Sequence, residues 1–369
     1  MKKLAIIGAS YLQLPLVKKA KEMGIETHCF AWENGAICKD SADYFYPISI
    51  LDKEKIFETC KTLGIDGITT IATDMAVPTI CYVAEKLHLI SNNSKTAEIA
   101  TNKGLMRNAF SIAGCTSPKY FVIDNKKKDY QNFNFPVIVK PVDRSGSLGV
   151  SKIEKHGDLE KAVNNAIKES FSKKAIIEEY IDGQEVSVES ISWNGKHYIL
   201  AITDKTTTGS PNFVELAHHQ PSNLSEKIQV LIKEQTILAL NALEIKNGAS
   251  HSEFKINNKG EVFVIEVGAR MGGDFIGSHL VELSTGYDFT KAVINVALNQ
   301  FEEPILQKNN YSGIYFICEQ TKNLLPYFEI NNHFDVEKQI QNLDLKKITN
   351  SNDRSGYLIY QSKNKIELT

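Results

Sequence analysis

The first ninety residues fix the frame. An apolar run, KLAII at 3–7, ends in Gly8-Ala9-Ser10 and gives way to helical periodicity through Met23. A strand at 26–31, a helix from Lys53, a strand at 67–72 and a helix from Val77 follow. Strands alternating with helices predict a parallel, doubly wound sheet. The turn after the first strand holds a single glycine, so the three-glycine dinucleotide fingerprint is absent and an NAD site is rejected there. Asp74 ends a strand in ATDMAVP, where open α/β sheets bind ligands, but a helix N-cap explains it at least as well. The opening MKKLAIIGASYLQLPL resembles a signal peptide only superficially. Gly8, Ser10 and Gln13 break its apolar run, and it reads as strand and turn.

The 369 residues are 42% hydrophobic and 23% charged, enough for two or three globular domains. A net charge of −2 argues for neither nucleic acid nor an anionic membrane surface as partner. No apolar stretch approaches the ~18 residues of a spanning helix. Cys29, Cys38, Cys60, Cys81, Cys115 and Cys318 show no paired spacing, which points to reduced thiols in a cytoplasm and away from zinc or disulfides.

A lysine-rich polar stretch at 124–134 marks a boundary. FPVIVKPVDRSGSLGVSKI then reads as strand, glycine loop, strand. A helix at 159–170 and the strands AIIEEYI and EVSVESISW complete two strand pairs around a helix, a compact α+β lobe. An amphipathic helix is expected at 226–243, and short strands at 310–369.

HSEFKINNKGEVFVIEVGARMGGD, 251–274, reads as a hairpin with its turn at Asn257-Asn258-Lys259-Gly260. Pairing Asn257 with Gly260 sets Glu253 opposite Val264 and puts Glu266 on the same face, a diagonal neighbour roughly 7–8 Å away. Two carboxylates so placed can share a hard cation; Mg²⁺ commonly takes one or two carboxylates plus substrate phosphates. Arg270 follows, beside Gly272-Gly273, where it can meet a second anion. Upstream, Lys140 ends a strand just before the loop Arg144-Ser145-Gly146-Ser147-Leu148-Gly149, whose N–H groups can approach phosphate. It is not a Walker loop. In AIIEEYIDGQEVSVE, Glu178 and Glu179 face opposite ways, so one of them faces inward and needs a partner. Strand ending at a turn leaves backbone groups of Glu179 and Ile181 free for an adenine edge.

These elements resemble the ATP-grasp superfamily of carboxylate–amine ligases, over nearly the whole chain. The resemblance implies a mixed α/β and α+β architecture: an N-terminal Rossmann-like sheet (1–95), a small glycine-loop lid lobe with linking helices (96–184) and a larger antiparallel-sheet domain with a C-terminal β extension (185–369). It implies ATP on Lys103, Lys140, Ser145, Gly146, Ser147, Gly149, Glu178, Glu179, Ile181 and Glu185. Glu185 would bind the ribose, and Glu253 and Glu266 would bind Mg²⁺, with Mn²⁺ as substitute. The family often places Asn two residues after the second acid; here that position is Gly268, which puts a third protein ligand in doubt. VGARMGGD and NFVELAHHQPSNL resemble the amino-acid ligase subgroup. Arg270, Lys140 and His218 are then the catalytic candidates, and Arg270, His218, Gly273 and Asp274 sit at the acyl substrate. The implied activity is an ATP-dependent ligase that forms a carbon–nitrogen bond through an acylphosphate. Its partners are small carboxylates and amines, not nucleic acid or membrane, in a cytoplasmic protein compatible with a homodimer. Two rivals stand beside it: a relative activating bicarbonate or formate, and a nucleotide-binding module without turnover.

Overall fold

The computed structural model describes residues 1–124, 133–146 and 148–368. Most of the polar stretch at 124–134, and Ser147 of the glycine loop, lie outside the described residues.

The first sheet is parallel, in the order β3-β2-β1-β4, from β1 (Lys3–Ile7), β2 (Glu26–Phe30), β3 (Tyr44–Tyr46) and β4 (Gly67–Thr69). The inner strand β1 reads as an apolar run, Leu4 to Ile7, because helices cover both faces of the sheet. Leu16 and Val17 of α1 (Leu14–Glu22), Ile56 of α2 (Lys53–Leu63) and Ile80 and Val83 of α3 (Val77–Leu87) close its core. The helix Phe289–Ala297, far along the chain, packs into the same core through Phe289, Val293 and Val296.

Two short helices, α4 (Ser94–Thr101) and α5 (Lys103–Ala113), lead out of this sheet. The Asn102 side chain caps α5 by accepting from the N–H groups of Gly104 and Leu105, which fixes the rim position of Lys103. The lid lobe follows as an antiparallel sheet in the order β5-β8-β6-β7: β5 (Tyr120–Asp124), β6 (Val137–Pro141), β7 (Ser151–Ile153) and β8 (Lys174–Glu179). Apolar positions of α6 (Leu159–Glu169) pack on it.

The composition of this lobe differs from the sequence reading. EVSVESISW was paired with AIIEEYI, but it forms β9 (Gln184–Trp193), a long strand of the other sheet. Its Val186 and Val188 enter a core built with α5 and α7 (Glu226–Ala242). The fourth lid strand is β5, which lacks clean alternation because Phe121 and Val122 are both exposed.

The large sheet has eight antiparallel strands in the order β13-β12-β9-β10-β11-β14-β16-β15. The remaining strands are β10 (Lys196–Thr207), β11 (Glu215–Gln220), β12 (Gly248–Ile256), β13 (Val262–Gly268), β14 (Tyr311–Ile317), β15 (Asp335–Ile340) and β16 (Gly356–Ser362). The C-terminal strands thus extend the sheet that carries the acidic hairpin. All six cysteines are buried, unpaired thiols. Among the described residues no helix is long and apolar enough to cross a membrane.

Candidate functional site

The β12–β13 hairpin organises the site, in a register that corrects the expected one. Asn257 pairs with Glu261 across a loop one residue longer than expected, and Gly260 N–H closes the turn onto the Asn257 carbonyl. A β-bulge at Ile265 adds a second shift, so Phe254 pairs with Val264 but Glu253 pairs with Glu266. The two carboxylates are directly opposite, not diagonal. The bulge frees the Ile265 carbonyl, which accepts from Arg107 Nη2 at 2.6 Å.

Each carboxylate is held by a lysine on one oxygen. Glu266 Oε1 accepts from Lys103 Nζ at 2.8 Å, and Lys103 also donates to the Arg144 carbonyl at 2.7 Å, joining the second acid to the glycine loop. Glu253 Oε1 accepts from Lys205 Nζ at 2.8 Å. Burial alone would raise the Glu253 carboxyl, but Lys205 and His251 hold it well below the usual range. Among the described residues no three His, Cys, Asp or Glu side chains converge into a metal cage. Two adjacent anionic carboxylates open to a cavity fit Mg²⁺ that draws its other oxygens from phosphates.

A chamber of about 230 Å³ lies on one side of the pair. Its wall includes Lys103, Lys140, Ser145, Gly146, Glu178, Glu179, Ile181 and Glu185 from the expected set. Glu178 is the inward-facing member of its pair. It is buried with Arg107 Nε at 2.9 Å and Lys140 Nζ at 2.7 Å. Burial, opposed by Glu178, draws the Lys140 ammonium below the usual lysine range. The Glu179 N–H is not free as expected, because it donates to the Lys119 carbonyl at 2.9 Å. The Ile181 N–H has no partner among the described residues. Gly149 is absent from the wall; it packs on Pro141, where a Cβ would come within 3.0 Å of the proline ring. Glu185 bonds Lys205 at 2.8 Å and Lys255 at 3.3 Å.

A second chamber of about 260 Å³ shares Asp74, Ser145, Gly146, Lys205, Glu215, His251, Glu253 and Arg270 with the first. It extends toward His218, Gly273 and Asp274. Arg270 does not pair with the nearby Asp274. Its Nη2 donates to Asp74 at 2.8 Å, across 196 positions. Ala72 N–H, bonded to the Met271 carbonyl at 3.0 Å, pins the two segments together. Gly268 permits this approach, since a Cβ there would lie 2.5 Å from Asp74 Oδ1. Asp274 pairs instead with Arg354 Nη1 at 2.8 Å. Asp274 and Phe275 both have positive φ, 49° and 63°, a strained turn that aims Asp274 inward. His218 is fully buried, 3.8 Å from Asp274 Oδ2, and its burial lowers its pKa, favouring the neutral ring.

Several residues enter that the sequence did not disclose. Buried Lys205 lies between Glu185, Glu215 and Glu253 at 2.8, 3.4 and 2.8 Å. Burial would lower its pKa, but the three acids hold it well above the usual value. A charged pair, Asp204-Lys205, following the apolar run ILAI within one strand is the signal the sequence offers. Glu189, fully buried, accepts from the Gly272 N–H at 2.9 Å and pairs with His251 Nδ1, while His251 Nε2 reaches Glu253 Oε1 at 3.4 Å. Burial opposes the charged ring, yet Glu189 raises His251 to about 9. This chain of contacts links the first acid of the hairpin to the loop carrying Arg270.

A four-stranded antiparallel sheet thus accompanies an eight-stranded antiparallel sheet whose hairpin carries the paired acids. The fold matches L-amino acid ligase from Bacillus licheniformis with a TM-score of 0.82 at 22% identity, covering 99% of this chain and 94% of that one. It matches N5-carboxyaminoimidazole synthetase from Staphylococcus aureus, complexed with ADP, with a TM-score of 0.80 at 15% identity, covering 98% and 94%. Residues 133–278 match the family described as ATP-grasp domain. Over those residues the chain carries an ATP-grasp domain match. Alanine–anticapsin ligase from Bacillus subtilis (strain 168) is 28% identical over 245 residues, 60% of this chain and 51% of that protein. The chain spans about half the length of the curated relatives it matches.

Proposed function

We propose that this chain is an ATP-dependent carboxylate–amine ligase of the amino-acid ligase type, working through an acylphosphate. The observation that carries this reading is the directly opposed pair Glu253–Glu266: both acids line the first chamber, and Glu253 also lines the second. One chamber is suited to a nucleotide and the other to an acid held by Arg270. The named relatives act in the same direction: one is an alanine–anticapsin ligase, one an L-amino acid ligase, and one was crystallised with ADP.

In this reading the adenine edge meets the hinge at Ile181, Glu185 receives the ribose, and Lys103, Lys140 and the amides of Ser145 and Gly146 hold the phosphates. Glu253 and Glu266 would hold Mg²⁺, which when bound neutralises charge between the β- and γ-phosphates. Arg270, fixed by Asp74, orients the substrate carboxylate toward the γ-phosphorus. A carboxylate oxygen attacks that phosphorus, the bond to the bridging oxygen breaks, and ADP leaves. An amine then attacks the acyl carbon, phosphate departs with the C–O bond electrons, and the amine proton is lost. Lysines and loop amides stabilise the transferring group, and the glycine loop shields an acylphosphate that water would hydrolyse. The rival activation of bicarbonate or formate requires a much smaller acid pocket than 260 Å³.

An ADP-release screen over amino acids and small carboxylates, singly and in pairs, with mass spectrometry of products, tests the reading. Amide products in pairs that release ADP are expected. ADP release with bicarbonate or formate alone would favour the rival, and none under any pairing would leave a nucleotide-binding module.

A further inference from the structure

The charges around the second chamber are balanced acid by acid. Asp74 is met by Arg270, and Glu253 by Lys205 and His251. Of the remaining acids, Asp274 depends on one residue from the C-terminal extension, and Glu215 shares that residue with Lys205. Arg354 is buried, with its side chain 6% exposed. Its Nη1 donates to Asp274 Oδ2 at 2.8 Å, and its Nη2 to Glu215 Oε2 at 3.2 Å and to the Glu215 carbonyl at 3.0 Å. Nε also reaches that carbonyl, at 3.2 Å, and the guanidinium lies 3.7 Å from the centre of the Phe316 ring. A planar fork held by four hydrogen bonds and an aromatic face is not a solvated surface arginine. The same segment brings Asn350 and Ser351 to the chamber wall.

We infer that Arg354 sets the substrate class of this chamber: by neutralising Asp274 and Glu215, it selects an amino acid with an uncharged side chain over one with a cationic side chain. The inference rests on the ligase reading above. The physical reason is desolvation. A charged side chain entering a chamber whose charges are already matched leaves water without gaining a counter-ion. Without Arg354, Asp274 has only the neutral His218 beside it, while Glu215 retains Lys205 at a longer 3.4 Å. The wall then offers an uncompensated carboxylate, and an ammonium or guanidinium gains what the uncharged side chain cannot.

The test compares Arg354→Gln and Arg354→Lys with the unaltered protein, with each protein amino acid supplied as the acid and ADP release measured. For Arg354→Gln the ratio of kcat/KM for L-lysine or L-arginine to that for L-alanine should rise about tenfold or more, with the KM for ATP unchanged. Arg354→Lys keeps a positive charge and should retain the original ranking. An unchanged ranking in a folded Arg354→Gln protein overturns the inference, as does an equal change in both variants. If Arg354→Gln lowers the melting temperature too far to assay, Asp274→Asn tests the same balance in reverse. It leaves Arg354 in excess and should shift preference toward L-glutamate and L-aspartate; no shift overturns the inference. Absence of turnover by the unaltered protein with every acid would be the distinct failure of the ligase reading.

Discussion

The two chambers meet at one wall but are assembled differently. The nucleotide-side chamber is built from segments whose chemistry is visible locally: a capped helix with Lys103, a strand ending in Lys140, a glycine loop, a hinge and an acidic hairpin. The second chamber is built from pairs joined only by the fold, Arg270 to Asp74 and Asp274 to Arg354, across 196 and 80 positions. In the proposed reading the first chamber receives a phosphate chain. The second, assembled across the first sheet, the large sheet and the C-terminal extension, is where one chain of this fold can differ from another.

The comparison breaks most visibly at the paired acids. Glu266→Gln preserves shape but removes an anionic oxygen and the partner of Lys103. ADP release should fall about a thousandfold or more while the melting temperature changes little. Activity near the original level at ordinary Mg²⁺ would remove Glu266 from the site. Lys205→Met strips the ammonium from three acids and should cost about 3–5 kcal/mol of stability, read by denaturant titration, because uncompensated buried charge remains. A change below about 1 kcal/mol would mean that the acids find other partners.

Separation of the two chambers is probed next. Arg270→Lys conserves charge but loses the fork, and should reduce acid-dependent ADP release about a hundredfold while leaving ADP affinity near its original value. Equal losses in both would show that the chambers are not independent. The smallest effect belongs to His219, neighbour of His218 in sequence. Its Nδ1 bonds the Tyr360 hydroxyl at 2.9 Å, and burial pulls its pKa down to about 3. An unfolded histidine titrates near 6.5, so this group's contribution is fully present above about pH 6.5. It is lost as pH falls toward about 3, by at most ~1.4 kcal/mol per pH unit. His219→Gln should flatten that acid limb of the stability curve and leave substrate ranking unaltered; a changed ranking would place His219 in the second chamber's chemistry.

What could be read from the sequence follows the same division. The parallel first sheet, the glycine loop and the hairpin with its two acids show in local pattern, because period and turn chemistry act over a few residues. The hairpin register does not. A turn one residue longer and a bulge at Ile265 each shift pairing by one, and the bulge is stabilised by Arg107 from another helix. β9 was placed in the wrong sheet for a related reason, since alternation shows that a strand exists but not which sheet receives it; β5, with no clean alternation, went unread. Asp74 looked like a cap or a ligand residue, and only the fold shows it holding Arg270. Lys205, Glu189 and Arg354 draw their roles from partners 10 to 139 positions away, which no local period encodes.

The central claim is that the acid in the second chamber is phosphorylated by a nucleotide in the first, beside the Glu253–Glu266 pair. It is tested most directly by turnover with ATP and a mixture of the protein amino acids labelled with ¹⁸O in both carboxylate oxygens. Phosphorus NMR of the released phosphate reads the outcome. Each phosphate formed with an amide product should carry one ¹⁸O, taken from the carboxylate that attacked the γ-phosphorus. Amide formation with unlabelled phosphate would contradict an acylphosphate route, and with it the role given to the paired acids.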